Sequence, residues 1–207
     1  MRYRGHANAG AIGFSLIELL VTIALIAVLS AMMYGFASGR HQRTQKQLCA
    51  DNLQKIYLSL QIYANDFKGD LPQNTNAATS EDVLGLLVPK YTADTSIFIC
   101  PGGRDSEIPS GEPLKEHKIS YAYYMGYHLS GDSGATPFIL MSDRQVNTDP
   151  KHAGEYVFSP DGKPPGNNHH KFGGNFLFSD GSVQASGSQL AFSLAIPPGV
   201  VLLNPKP

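Results

Sequence analysis

The chain is expected to fold as an α+β protein: one long N-terminal helix, strongly apolar in its first half, whose second half packs against a small antiparallel sheet. Three observations support this. No proline occurs before Pro72, although the 207 residues hold 14 prolines and 21 glycines. Residues 14–37, FSLIELLVTIALIAVLSAMMYGFA, carry no charge except Glu18. Beyond residue 70, short runs rich in β-branched and aromatic residues alternate with glycine and proline turn signals.

The apolar run comes first. Its 24 residues make a helix of roughly 36 Å at about 1.5 Å per residue, enough for a bilayer core of about 30 Å. It is longer than the h-region of about 7–15 residues in a secretory signal peptide. Arg2 and Arg4 precede it while Arg40, Arg43 and Lys46 follow, so flanking charge leaves the topology open. Such a concentrated apolar stretch argues against a freely soluble cytosolic enzyme. The balance of 16 basic and 17 acidic residues argues against a protein that grips nucleic acid through net positive charge.

Glu18 stands out within the run. A carboxylate in a membrane helix costs about 2.5–3.5 kcal/mol at the centre on insertion scales, less near an end, and marks a function or a partner. No Lys, Arg or His lies one helical turn away on either side. Its partner must come from elsewhere, and a cut between Gly13 and Phe14 would create an α-amino group able to pair with Glu18 of an adjacent copy.

Past the apolar run, Cys49, Leu53, Ile56, Leu60, Tyr63 and Phe67 recur at helical spacing and form one apolar stripe. Asp51, Gln54, Lys55, Ser59 and Asn65 are expected on the solvent face. The stripe is too short and too poor in opposing charge pairs for a coiled-coil seam, so docking onto the chain's own domain is the better reading. Gly69 and Pro72 are the stop signals.

Ser80 before EDVLGLLV reads as the cap of a short helix. Strand candidates follow at 96–100, 119–125, 137–141, 154–158, 175–178 and 182–184. Turns at Gly102-Gly103, Gly131-Asp132, Asp161-Gly162, Pro164-Pro165-Gly166 and Asp180-Gly181 separate them. The proline-rich stretch 147–169 is expected to be an exposed loop. In the strand at 175–178, Phe176 and Phe178 share a face by alternation and are expected to pack toward the helix.

Gly13, Phe14, Ser15, Leu16, Ile17 and Glu18, followed by the long apolar run, resemble the processing motif of type IV prepilins and type II secretion pseudopilins. The resemblance implies a pilin-like fold and a definite organisation. Residues 1–13 are a cleaved basic leader, 14–37 the transmembrane and assembly helix, 38–68 the periplasmic half of the helix, and 69–207 the globular domain. A prepilin peptidase would cut between Gly13 and Phe14 and methylate the new amino terminus of Phe14. Without Arg2 and Arg4 the mature chain has 14 basic residues to 17 acidic. The further partners implied are other pilin or pseudopilin copies, the inner-membrane assembly machinery and the membrane, with no nucleic acid. The implied location is the bacterial inner membrane, single-pass, with the C-terminal domain in the periplasm or extended as a periplasmic filament.

A second resemblance is to a subgroup of pilin-like proteins of planctomycete and verrucomicrobial relatives, whose signature is a His, nine residues and Asp-Gly. His170, KFGGNFLFS and Asp180-Gly181 match that spacing, joined by NLQKIYLSLQIYAND at 52–66, FICP at 98–101 and Ser120-Tyr121.

Cys49 and Cys100 are an even pair in a domain that the resemblance places in an oxidising compartment, and a disulfide between stripe and strand is expected. Closing a 51-residue span stabilises by about 2–4 kcal/mol. The alternative is two buried thiols. His169, His170, Asp180, Asp143 and Asp161 have residue types suited to a metal, imidazole and carboxylate to zinc, carboxylate and backbone oxygen to calcium. Their spacing matches no ligand motif, so the expectation is no catalytic metal, with Asp180-Gly181 a hairpin turn and His170 bonded to a loop. Calcium enters only because some major pseudopilins hold it in a C-terminal loop. No nucleophile elbow and no phosphate loop is present. Half of the cluster Tyr121, Tyr123, Tyr124 and Tyr127 is expected in the core. The function expected is that of a non-enzymatic filament subunit. The alternative is a membrane-tethered periplasmic binding domain or metal-dependent enzyme, which would have no use for a peptidase site followed by an intramembrane acid.

Overall fold

The structure, a computed structural model, describes residues 15–129 and 136–207, with the backbone alone described for 33–40. The leader, the Gly13-Phe14 junction and the turn expected at Gly131-Asp132 lie outside the described residues. The chain divides into two units between Arg40 and His41.

Helix α1 runs Leu16–Asp66, 51 residues without a proline. In the first unit its side chains from Ser15 to Met32 are exposed, and the Thr22 hydroxyl donates back to the Leu19 carbonyl at 2.8 Å. Among the described residues no helix is long and apolar enough to cross a membrane. The span expected at 14–37 starts at Phe14 and ends among residues whose side chains are not described.

In the second unit the stripe is buried as spacing requires: Cys49, Leu53, Ile56 and Leu60 are inaccessible and Ala64 nearly so. Phe67 departs from the expectation. It lies just past the helix end, 46% exposed, and stacks on the half-buried Tyr63 ring with centroids 4.3 Å apart. Ser59 also departs, being buried rather than on the solvent face. Its hydroxyl donates to the Lys55 carbonyl at 3.3 Å, which satisfies the donor inside the helix. The helix ends where Gly69 adopts φ 100° and its N–H returns to the Ala64 carbonyl at 2.7 Å, a glycine stop of the ordinary kind.

The short helix α2, Glu81–Leu84, follows, continued by a 3₁₀ turn at Gly85–Leu87. Ser80 does not cap it. Its backbone is already helical, and its hydroxyl donates to the Tyr121 carbonyl at 2.8 Å, tying the helix to the sheet. Capping falls to Asp82, whose Oδ2 accepts from the Ala78 and Thr79 N–H groups, both at 3.0 Å.

Among the described residues five strands form one antiparallel sheet: β1 Tyr121–Met125, β2 Ile139–Asp143, β3 Gly174–Phe178, β4 Val183–Ser186 and β5 Val201–Leu203, in the order β4-β3-β2-β1-β5. Four strand positions match the expected ones. The segment at 96–100 does not: Thr95–Phe98 is a 3₁₀ turn whose start is held by Asp94 accepting from the Ser96 N–H at 3.1 Å. Residues 154–158 contribute only a bridge from Tyr156 to Gln189. Nor is 147–169 a uniformly exposed loop, since Val157, Phe158, Asn168 and His169 are buried in it.

The sheet has two apolar faces. Tyr121, Tyr123, Met141, Leu177 and Leu203 share the core of the α1 stripe. Tyr124, Ile139, Phe176 and Leu202 point the other way, covered by Val157, Phe158, Leu190 and Leu194. The expectation that Phe176 faces the helix is therefore corrected. Asn175 and Leu177 occupy the helix side, and the phenylalanine side is buried by C-terminal segments that a reading of one amphipathic face does not anticipate. Three of the four tyrosines, Tyr121, Tyr123 and Tyr124, are fully buried, and burial pushes each hydroxyl well above its ordinary range.

Asp180-Gly181 turns the chain from β3 to β4. Asp180 Oδ1 accepts from the Ser182 N–H at 2.9 Å, and Gly181 sits at φ 82° with the Tyr57 ring 2.6 Å from where a Cβ would stand. Gly181→Val is expected to destabilise by about 1–3 kcal/mol through backbone strain. His170→Ala, at an exposed side chain, should stay within about 1 kcal/mol. Chemical unfolding of the full chain in detergent checks both.

Candidate functional site

Two regions carry chemistry. The first is the start of α1. Glu18 lies in its first turn, and apolar side chains surround it in sequence, from Leu16 at 81% exposed to Met32 at 62%. A helix apolar on all sides is stable only when lipid or other protein covers it. Gly13 and Phe14 lie outside the described residues.

The second lies inside the globular unit, where α1, the segment after the 3₁₀ turn, the end of β2 and the loop before β3 converge. Cys49 of α1 and Cys100 form a disulfide with Cα atoms 5.3 Å apart. The approach is set by hydrogen bonds from the helix: Asn52 Nδ2 to the Ile99 carbonyl at 3.0 Å and Gln45 Nε2 to the Pro101 carbonyl at 3.1 Å. The Cys100 N–H donates to Ser120 Oγ at 2.9 Å. That hydroxyl donates to Asp105 at 2.7 Å, and Asp105 also holds the Arg144 guanidinium at 3.2 Å.

His169 packs against the disulfide, fully buried, with Nε2 3.5 Å from Cys100 Sγ and 3.3 Å from Asp143 Oδ2. Gly102 permits this approach, because a Cβ there would stand 2.6 Å from His169 Nδ1. Asp143 is equally buried. Its Oδ1 accepts from Asn168 Nδ2 at 2.9 Å, and its Oδ2 from the Asn175 N–H at 2.7 Å and Asn175 Nδ2 at 3.1 Å. Asn175 Nδ2 also reaches the Lys46 carbonyl at 3.0 Å, which joins β3 to the helix. The Lys46 ammonium donates to the Ser186 and Phe172 carbonyls at 2.6 and 3.0 Å. Burial lowers its pKa, and the Asp143 charge partly opposes that.

The site residues named from sequence fall unevenly. Cys49, Cys100, Asp143 and His169 come together, their ligating atoms all within 4.8 Å of one another. His170, Asp180 and Asp161 do not join them. His170 is exposed at φ 52°. Asp180 and Asp161 each accept hydrogen bonds in their own turns, which lower their pKa values. Sequence spacing singles out His170, while the fold buries its neighbour. Nothing in the tandem His169-His170 distinguishes them without the chain path. Asn168 and Asn175 were missed, and the only signal was their closeness to the paired histidines.

Residues 10–34 match the model of the prokaryotic N-terminal methylation motif, which is the N-terminus of type IV pilins and pseudopilins. The motif implies processing by prepilin peptidase, and proteins that carry it are anchored in the membrane through the N-terminal helix. They are usually structural rather than enzymatic. No curated protein and no solved structure matches the chain.

Proposed function

We propose that this chain is a structural subunit of a type II secretion pseudopilus or a type IV pilus-like filament. One observation carries the reading: the methylation motif at residues 10–34 overlaps the start of a helix whose side chains from Leu16 to Met32 are exposed and, apart from Glu18, Thr22 and Ser30, apolar. On this reading prepilin peptidase removes residues 1–13 and methylates Phe14. The run 14–37 holds the subunit in the inner membrane until it is drawn into a filament, where neighbouring helices replace lipid around the same side chains. Glu18 pairs with the amino terminus of an adjacent copy. The globular unit faces the periplasm, with its disulfide suited to that compartment.

Intact-mass measurement of protein extracted from membranes tests the processing. The expected mass lacks Met1 to Gly13 and carries one added methyl group. An unprocessed chain in fully assembled membranes would reject the reading.

A further inference from the structure

We propose that the buried cluster of Cys49, Cys100, His169 and Asp143 is a redox-gated metal site, which in the dithiol state takes a divalent transition metal of the zinc type. This does not rest on the filament reading. The four ligating atoms come from four segments of the fold, are all buried, and lie within 4.8 Å of one another. The separations of 3.3 Å from Nε2 to Asp143 and 3.5 Å from Nε2 to Cys100 Sγ approximate the edges of a tetrahedron with arms of about 2.0–2.3 Å, the bond lengths zinc makes to oxygen, nitrogen and sulfur. Two thiolates, one imidazole and one carboxylate form a donor set that suits zinc or cobalt and ill suits magnesium or calcium.

The surroundings fit as well. A neutral disulfide is served by apolar packing alone, yet here an imidazole and a carboxylate are buried against it, at a desolvation cost. In the metal state both are ligands. The hydrogen bonds from Asn168 and Asn175 then orient the carboxylate as outer-sphere partners do. Two thiolates, a carboxylate and a dication leave one net negative charge, and the nearby Lys46 ammonium offsets it.

The chemistry balances with a thiol reductant. Two reductant thiols are oxidised to their own disulfide, the Cys49–Cys100 sulfur–sulfur bond breaks, and each sulfur receives one electron and one proton. Metal entry then breaks the two S–H bonds, forms two metal–sulfur bonds and releases two protons. The His169 proton moves to Nδ1, freeing the Nε2 lone pair for the metal.

The test uses the full chain in detergent, reduced with a thiol reductant that is removed under nitrogen, and titrated with Co²⁺ alone. One equivalent should produce tetrahedral d–d bands and thiolate-to-cobalt charge transfer, both displaced by Zn²⁺, while the oxidised chain produces neither. His169→Gln and Asp143→Asn should weaken Co²⁺ binding at least about tenfold. Zn²⁺ should also protect both thiols of the unaltered chain from alkylation, a readout that needs no variant to fold. Free thiols with no d–d bands, or an unchanged affinity in a folded His169→Gln chain, would overturn the proposal. So would a disulfide that resists the reductant throughout.

Discussion

Glu18→Ala is expected to leave membrane insertion and leader cleavage intact while lowering filament incorporation at least about tenfold. Removing the carboxylate makes the run more apolar, and on insertion scales an acid costs about 2.5–3.5 kcal/mol at a helix centre, less near an end, so insertion is eased. The proposed peptidase site at Gly13-Phe14 is untouched. In the proposed assembly, what is lost is the acceptor for a neighbour's amino terminus, and a charge pair in low dielectric is where one missing partner is most costly. Comparing the variant in membrane and sheared-filament fractions reads the split directly. Normal incorporation would remove the pairing from the proposed assembly. Glu18→Asp, which keeps the charge but shortens the reach, should lie between the two.

Asp143→Ala should be the most damaging single change in the globular unit, costing about 3–5 kcal/mol. The carboxylate accepts from Asn168 and from both the backbone and side chain of Asn175, and lies 3.3 Å from His169 Nε2, all in a buried interior. Alanine removes that acceptor, and each buried donor left without a partner costs about 1–3 kcal/mol. The side chains of Asn168 and Asn175 keep second acceptors at the Ser120 and Lys46 carbonyls, so the Asn175 N–H, left without an acceptor, and His169 Nε2, left beside the Cys100 sulfur alone, carry most of the penalty. Asp143→Asn, isosteric and still an acceptor through one oxygen, should lose less. Denaturant unfolding of the full chain in detergent measures both, and a loss below about 1 kcal/mol for alanine would show that water replaces the carboxylate.

Much of the architecture was legible because it depends on local periodicity. The stripe from Cys49 to Leu60 needs only the 3.6-residue repeat, and Asp180-Gly181 needs only a left-handed glycine beside an aspartate that bonds its own turn. The misreadings share a different cause. Thr95–Phe98 has strand-like residues, yet Asp94 caps a 3₁₀ turn there. Strand β5, only Val201–Leu203, is enclosed by prolines and shows no alternation of its own. Alternation places Phe176 and Phe178 on one side of β3 and does not tell which side meets the helix. Both faces of this sheet are buried, so hydrophobicity could not decide.

By itself the sequence determined the processing motif, the long helix, its apolar first half and its buried stripe, since each depends on residues within a few turns of one another. Only the tertiary structure decided that His169 rather than His170 enters the interior, that Asp143 is its partner, and that both lie against Cys49 and Cys100. Those four residues span 120 positions from Cys49 to His169. The physical reason is that their meeting is set by the order β4-β3-β2-β1-β5 and by the close approach Gly102 allows. Both are properties of how segments distant in the chain pack, to which neither spacing nor composition responds.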